Sequence, residues 1–267
     1  DHPDSVMSYI DETFTPPPFK PLRIFIVKKK FLPISAKDDN DQDILDRITK
    51  LDQIYVSNLK MDQFQGVTKT HDIIIDFQNL NIEDSLYLFL NGWLFPTDAS
   101  INVNLSQNDS LKSIFPFIQV KNKYNQWVTV IENIGFPKGK NKTMIIDMTD
   151  KFLTDNYQVR LRTNMQIYWD QIFMANNSSK TDIKLSRLKP ISANLNFRGF
   201  SKLKKKNYSS PHFPEYYNID KNKKWRDLVG NYTKYGNTLP LLLDSDNKYV
   251  IMNSGDELSL EFDALNL

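Results

Sequence analysis

The chain has 267 residues and a formal net charge of +2, with 40% hydrophobic and 25% charged residues. This composition is typical of a globular protein and excludes a disordered chain, and the small net charge, with both signs interspersed, argues against a nucleic-acid partner. The absence of cysteine excludes disulfides, thiolate catalysis and cysteine-ligated metals, and no apolar run approaches the ~18 residues of a membrane span.

The first 65 residues predict an extended segment, one strand and one helix. Pro16 to Pro18 favour an extended linker, and the apolar run at 22–27 is typical of a buried strand. Five later apolar residues follow the spacing of one helical face, namely Ile44, Leu45, Ile48, Leu51 and Ile54. Because the aspartates before them suit the positive end of a helix dipole, the sequence predicts one short N-terminal helix.

Residues 66–190 predict the main β domain. Apolar runs and period-2 alternation indicate strands at 71–77, 85–93, 115–121, 127–130 and 143–148. The segment 158–174 is interpreted as two further strands separated by a polar break at Thr163-Asn164. A turn at 123–126 joins two of these strands as a hairpin, and a long polar loop at about 96–113 separates two others. The pattern predicts a mainly β protein with a β-sandwich at 66–190.

The string Tyr168-Trp169-Asp170 is the most distinctive part of that domain. Successive side chains of a strand point to opposite faces of the sheet. We therefore expect one of Tyr168 and Trp169 to face the core and Asp170 to face the same side as Tyr168.

Residues 191–267 predict a loop-rich and β segment that packs on the sandwich. Strands are indicated at 238–243, 248–252 and 257–262. The basic run Lys202 to Lys206 is compatible with a nucleic-acid or anionic-lipid patch, but a surface loop is the better interpretation because the rest of the chain lacks a basic excess.

No motif for metal binding or catalysis is complete. Asp39, Asp41 and Asp43 have the spacing of a calcium loop, but Ile44 and Lys50 stand where the loop needs Gly and Glu. The three histidines, His2, His71 and His212, lie in no catalytic motif. We therefore predict that the protein is not an enzyme and has no cofactor. Structural calcium is conceivable, but no motif supports it. A glycoside-active enzyme remains a third alternative.

Aromatic residues beside polar side chains predict a ligand site after the second strand of the sandwich. Sugar rings need an aromatic face for stacking and polar groups for hydrogen bonds. The candidate ligand-binding residues are Trp93, Phe95, Asp98, Asn102 and Asn104. Trp127 and Trp169 are better interpreted as sandwich core.

Two resemblances point the same way. The hairpin 117–130, followed by a strand with Arg160 and Arg162, resembles the galactose-binding-like jelly roll. Leu90-Asn-Gly-Trp93, the segments 132–139 and 162–171, and Gly255-Asp-Glu257 resemble a C-terminal region of exported bacterial proteins with FG-GAP/VCBS repeats, some with an ASPIC/UnbV-type segment. The resemblance implies an extracellular, cell-surface or periplasmic module without catalytic residues.

The sequence thus leads to two main hypotheses. The first is a secreted or cell-surface binding or adhesion module whose partner is a glycan or a surface protein, bound through the loop after Trp93. The alternative is a structural subunit of an extracellular assembly, joined through exposed aromatics and strand edges. The chain begins at Asp1 without a methionine, and we expect it to be a fragment or processed form of a longer protein.

Overall fold

A computed structural model describes residues 7–15, 23–78, 80, 85–137, 139, 141–177, 186–208, 210–222 and 229–264. The prolines at 16–18 and His2 lie outside these residues. The chain divides into two compact units, unit 1 within 1–181 and 207–211, and unit 2 within 182–206 and 212–267.

The mainly β class is confirmed, with 45% of the residues in strands and 6% in helices. The strands of unit 1 are β1 (Met7–Ile10), β2 (Thr13–Phe14), β3 (Ile24–Val27), β4 (Ser35–Asp38), β5 (Val67–Asp76), β6 (Tyr87–Leu94), β7 (Phe117–Lys121), β8 (Trp127–Ile131), β9 (Phe136–Pro137), β10 (Lys142–Asp147), β11 (Gln158–Met165) and β12 (Ile167–Ala175). Antiparallel pairing orders them into a five-stranded sheet, β4-β5-β11-β7-β8, a three-stranded sheet, β10-β6-β12, and the pairs β1-β3 and β2-β9.

One core lies between the two larger sheets, an arrangement consistent with a β-sandwich. The five-stranded sheet contributes alternate residues such as Ile73 and Ile75 on β5 and Val159 and Leu161 on β11. The three-stranded sheet contributes inward-facing residues of all its strands: Leu88, Leu90, Met144, Ile146, Ile167, Trp169, Ile172 and Met174. The alternation seen in the sequence therefore reports the inner faces of two packed sheets.

The three-stranded sheet is buried on both faces. Phe89 and Phe173 lie on its other face and stack with ring centroids 4.7 Å apart. Phe25 and Val27 of β3 pack against them, so the β1-β3 pair forms a third layer. Two-sided burial explains why β6 and β12 read as nearly continuous apolar runs rather than as alternating ones.

A bulge in β12 organises the distinctive string. Trp169 pairs with Gly92 on β6 and Gln171 pairs with Asn91, which leaves Asp170 as the extra residue. Trp169 faces the core and is 1% exposed. A Cβ atom on Gly92 would lie 2.6 Å from the Trp169 ring, so this position must be glycine for the indole to pack over the backbone.

Asp170 does not follow simple alternation, because the bulge re-aims it. Its carboxylate is fully buried, and Oδ1 accepts hydrogen bonds from the backbone N–H groups of Asp52 and Gln53 at 3.3 and 2.8 Å. The Asn141 amide donates to Oδ2 at 3.4 Å. Asp170 therefore attaches the loop around residue 53 to β12, where Gln53 has a φ of 64°.

The helix prediction is wrong in position. Leu45–Arg47 forms only a turn of 3-10 helix, because Ile44 and Ile48 on either side of it turn inward to the core. The α-helix of the described chain is α1 (Ala99–Ser106), inside the predicted polar loop, with Asp98 as its N-cap. Among the described residues, no helix has both the length and the apolarity to cross a membrane.

The described residues of unit 2 form the strands β13 (Pro190–Phe197), β14 (Phe200–Lys205), β15 (His212–Asp220), β16 (Gly236–Asn237) and β17 (Asp256–Phe262). They form the sheet β16-β13-β17 and the hairpin β14-β15. The strand predicted at 257–262 is confirmed as β17. The strand predicted at 238–243 is instead a 3-10 turn at Leu239–Leu241, residues 248–252 carry no strand, and the basic run predicted as a loop lies largely on β14.

We expect the Asp170→Ala variant to lose about 3 kcal/mol of unfolding free energy, because it leaves the N–H groups of Asp52 and Gln53 without their buried acceptor. Urea denaturation measures the change. Asp170→Asn is the matched control, since it keeps an amide oxygen in the same place and should lose less. Equal losses in the two variants would show that the acceptor is not what stabilises this loop.

Candidate functional site

The loop after Trp93 places its polar candidates on or next to α1. Asp98 accepts hydrogen bonds from the Ile101 N–H at 2.8 Å and from the Ser100 hydroxyl at 2.7 Å, and these bonds lower the pKa of Asp98. Asn102 accepts a hydrogen bond from the Thr97 hydroxyl at 2.9 Å, and Asn104 is exposed on the same helix. Asp98 therefore has a helix-capping role.

The aromatic candidates of that loop are packed together. Trp93 is 3% exposed, and its ring centroid lies 5.6 Å from that of Phe95 and 5.9 Å from that of Tyr168. Phe95 is half-buried. Since the Trp93 ring has little accessible area, it cannot offer a stacking face to a ligand in this conformation.

A second group of candidates lies on the outer face of the five-stranded sheet. Because Val159, Leu161, Ile118 and Val120 point into the core, their neighbours on β11 and β7 point outward. We define the outer-face cluster as Asp72 of β5, Gln119 and Lys121 of β7, Trp127 of β8, and Arg160 and Arg162 of β11. Strand pairing fixes their spacing, with Arg160 opposite Gln119 and Lys121 opposite Trp127.

Trp127 lies in contact with two cations. The Lys121 ammonium is 4.3 Å and the Arg160 guanidinium 4.8 Å from the centroid of the ring, within range for cation–π attraction. Arg160 also donates from Nε to the Gln119 side-chain oxygen at 2.7 Å, and the Gln119 amide donates to the Thr129 hydroxyl at 3.0 Å. These contacts hold long side chains in one conformation.

Asp72 balances only part of this positive charge. Its carboxylate lies 2.9 Å from Arg162 Nε, without the alignment of a hydrogen bond, and 3.8 Å from Arg160 Nη1. Burial raises the pKa of Asp72, although the charges of Arg162 and Arg160 act to lower it. Two guanidinium groups therefore face one carboxylate, Lys121 adds a third cation beside Trp127, and the charge of Asp39 also acts on Asp72. The Arg162 side chain is the more accessible guanidinium, 38% exposed against 16% for Arg160.

The cluster differs from what the sequence predicts as a site. Trp127 was assigned to the core, yet it lies half-buried on the outer face. The signal was present in the alternation, because Arg160 and Arg162 alternate with the core residues Val159 and Leu161. Sequence alone does not reveal that β7 and β8 bring Gln119 and Trp127 beside them.

The described residues include no group of three side chains arranged to hold a metal ion. Of the histidines, His71 has Nδ1 3.1 Å from the Thr68 hydroxyl oxygen and 3.2 Å from the Lys69 carbonyl oxygen. Burial lowers the pKa of His71, which keeps the imidazole neutral at neutral pH. These contacts give His71 a local structural role at the start of β5.

We expect Trp93→Ala to lower the unfolding free energy by about 3 to 5 kcal/mol, because it removes a buried indole and leaves a cavity. Chemical denaturation measures this loss. Asn104→Ala, at an exposed position of α1, is the control and should change stability little. A Trp93→Ala protein of unchanged stability would show that the indole is not part of the packing.

Comparison of the chain with protein-family models, with curated proteins and with solved structures found no match. Function is therefore inferred from the geometry of the outer-face cluster.

Proposed function

We propose that the protein is a non-catalytic binding module and that its outer-face cluster binds a carbohydrate bearing carboxylate groups. The observation that carries this proposal is that the cluster holds three cations, Lys121, Arg160 and Arg162, and one carboxylate, Asp72, with two of the cations against Trp127. An acidic glycan presents carboxylates for the cations, hydroxyls for the amides and apolar ring edges for the tryptophan.

Arg162 would make the main charged contact. Its Nε lies against Asp72, while its side chain remains 38% exposed. A guanidinium binds a carboxylate through two parallel hydrogen bonds. Asp72 would orient Arg162 without cancelling the positive charge of the cluster, because Arg160 and Lys121 stand on the same face.

Gln119 and Thr129 would supply polar contacts beside the charged ones. The two side chains are joined by a hydrogen bond, and Thr129 is exposed at the edge strand β8. A hydroxyl and an amide can each donate and accept, which suits sugar hydroxyls. Because strands hold these groups in place, binding would cost little conformational entropy.

The location and kinship of the module belong to the same proposal. We infer that it belongs to an exported, cell-surface or periplasmic protein, as its resemblance to FG-GAP/VCBS-associated regions implies. The packing of a five-stranded sheet on a three-stranded sheet supports a sandwich of the jelly-roll kind.

We expect the chain to be retarded in affinity electrophoresis by polygalacturonate and not by the neutral polymer dextran. Arg162→Gln should weaken the interaction about tenfold or more, because it removes a charge-assisted hydrogen-bond donor. Lys189→Gln is the matched control, since it removes one exposed cation from unit 2.

Two outcomes would contradict the proposal. One is equal retardation by the neutral and the acidic polymer, which would remove the role of charge. The other is an equal effect of Arg162→Gln and Lys189→Gln, which would reduce the interaction to the net charge of the chain.

A second candidate function is an assembly subunit that pairs with a second copy of this chain through β17. In the described part of unit 2, β17 is an edge strand, and Leu260 and Phe262 on one of its faces are 43% and 48% exposed. Residues 257–261 read Glu-Leu-Ser-Leu-Glu, the same in both directions. Antiparallel pairing of two copies about Ser259 would set Leu258 against Leu260 of the second copy.

Such pairing would also oppose Glu257 and Glu261 of the two copies. Glu257 lies 3.3 Å from Arg198 Nε and accepts a hydrogen bond from the Tyr216 hydroxyl. Because Arg198 compensates this carboxylate, the repulsion between the opposed glutamates would be reduced.

On this second candidate, light scattering should find a dimer whose fraction rises with protein concentration. Leu260→Glu should convert it to a monomer, since it places a charge in the apolar strip of the interface. Asn194→Glu, which adds the same charge on β13 away from the edge, should remain dimeric. A wild-type chain that is monomeric at all concentrations would exclude the candidate.

A further inference from the structure

A polar cavity of about 310 Å³ lies in unit 1, apart from the outer-face cluster. It opens between the 3-10 turn and the extended segment that follows it. Its walls are formed by Gln42, Asp43, Ile44, Arg47, Val56, Ser57 and Asn58. This volume is at the lower end of the range for ligand pockets, which suits a molecule of monosaccharide size.

The cavity has an apolar floor and polar walls. Ile44 and Val56 are each only 4% exposed and belong to the core. At the rim, the Asn58 amide donates to the Gln42 side-chain oxygen at 3.0 Å. A floor anchored in the core and walls of amide, hydroxyl and charged groups suit a small polar ligand.

Arg47 is held in one position by neutral groups. Nη1 donates to the Tyr55 carbonyl at 3.1 Å and to the Ser57 hydroxyl at 3.4 Å, and Nη2 donates to the Tyr208 hydroxyl at 3.2 Å. The guanidinium also lies 5.6 Å from the centroid of the Tyr208 ring. These contacts fix the side chain before any ligand arrives.

The charge of Arg47 has no counterion in the described part of the chain. The ion pairs of those residues involve other cations, and Asp43, which lines the same cavity, instead accepts a hydrogen bond from the Leu45 N–H at 2.9 Å. A half-buried guanidinium fixed by neutral partners keeps its full charge available to an anion.

We propose that this cavity binds a small molecule that carries one carboxylate and several hydroxyl groups, a sugar acid. The carboxylate lies on Arg47, and the hydroxyls donate to Asp43 and exchange hydrogen bonds with Gln42 and Asn58. The proposal is independent of the acidic-glycan site, because no residue is common to the cavity and the outer-face cluster.

The test uses D-glucuronate as probe and D-glucose as its neutral match, each titrated into the full chain and followed by amide chemical shifts in NMR. Glucuronate should produce saturable shifts at the amides of Gln42, Ser57 and Asn58, and glucose should bind there at least tenfold more weakly. That ratio corresponds to about 1.4 kcal/mol for the contact between carboxylate and guanidinium.

Two cavity variants and one outer-face control locate the binding. Arg47→Met should abolish the shifts at these amides, while Arg162→Gln on the outer face should leave them unchanged. Because Arg47 also bonds the Tyr55 carbonyl, a second variant, Gln42→Trp, covers the cavity without touching any bond of the guanidinium. It too should abolish the shifts, which are followed in this variant at the amides of Ser57 and Asn58.

Three results would overturn the proposal: glucuronate shifts that persist in Arg47→Met, glucose binding as well as glucuronate, or no saturable shift at the cavity amides. Glucuronate shifts confined to amides around Trp127 and Arg162 would also overturn it, while supporting the acidic-glycan function. If polygalacturonate does not bind but the cavity shifts remain, the sugar-acid site is supported and the acidic-glycan function is contradicted.

Discussion

The contact between Trp169 and the backbone at Gly92 is the constraint on which the rest of unit 1 depends. The indole covers a glycine on the middle strand of a sheet that is buried on both faces. Any side chain at that position would displace β6 from β12, and with it both cores. The bulge at Asp170 lies next to this contact. Because it adds one residue to β12, Trp169 and Ile172 both face the same core although they are three residues apart.

The bulge also links the middle sheet to the segment that lines the cavity. Asp170 accepts the N–H groups of Asp52 and Gln53, and three residues later Val56 donates its N–H to the Trp169 carbonyl at 3.0 Å. Hydrogen bonds to β12 therefore hold the segment after residue 52 in place, and this segment does not form the end of the predicted helix. Val56 forms part of the cavity floor, so the position of the Arg47 cavity rests on β12.

The sequence predicted strands well where apolar and polar residues alternate within one short segment. The hairpin of β7 and β8 and the strand β17 follow directly from period-2 patterns and turn residues. The prediction of a helix at 44–54 was wrong. The spacing of its apolar residues fits one face of a helix, but it fits equally well a chain that turns into the core twice, at Ile44 and at Ile48. Trp93 was predicted as a ligand contact but is buried, and Trp127 was predicted as core but lies on the outer face. The burial of a ring depends on which sheet covers it, and that is set by contacts distant in the sequence.

Two-sided burial of the middle sheet decides where unit 1 can carry a rigid ligand site. Little of either face of β6, β10 and β12 is open, because the five-stranded sheet packs on one face and β3 packs on the other around Phe89 and Phe173. The outer face of the five-stranded sheet is the large strand surface of unit 1 that presents charged side chains, and Arg160, Arg162 and Asp72 lie there. Because these side chains are partly removed from water, the attraction between their opposite charges is stronger, and so is the attraction between the cations and an anionic ligand. The raised pKa of Asp72 reflects that environment, so the excess of cations there acts more strongly on an anion than dispersed surface lysines would.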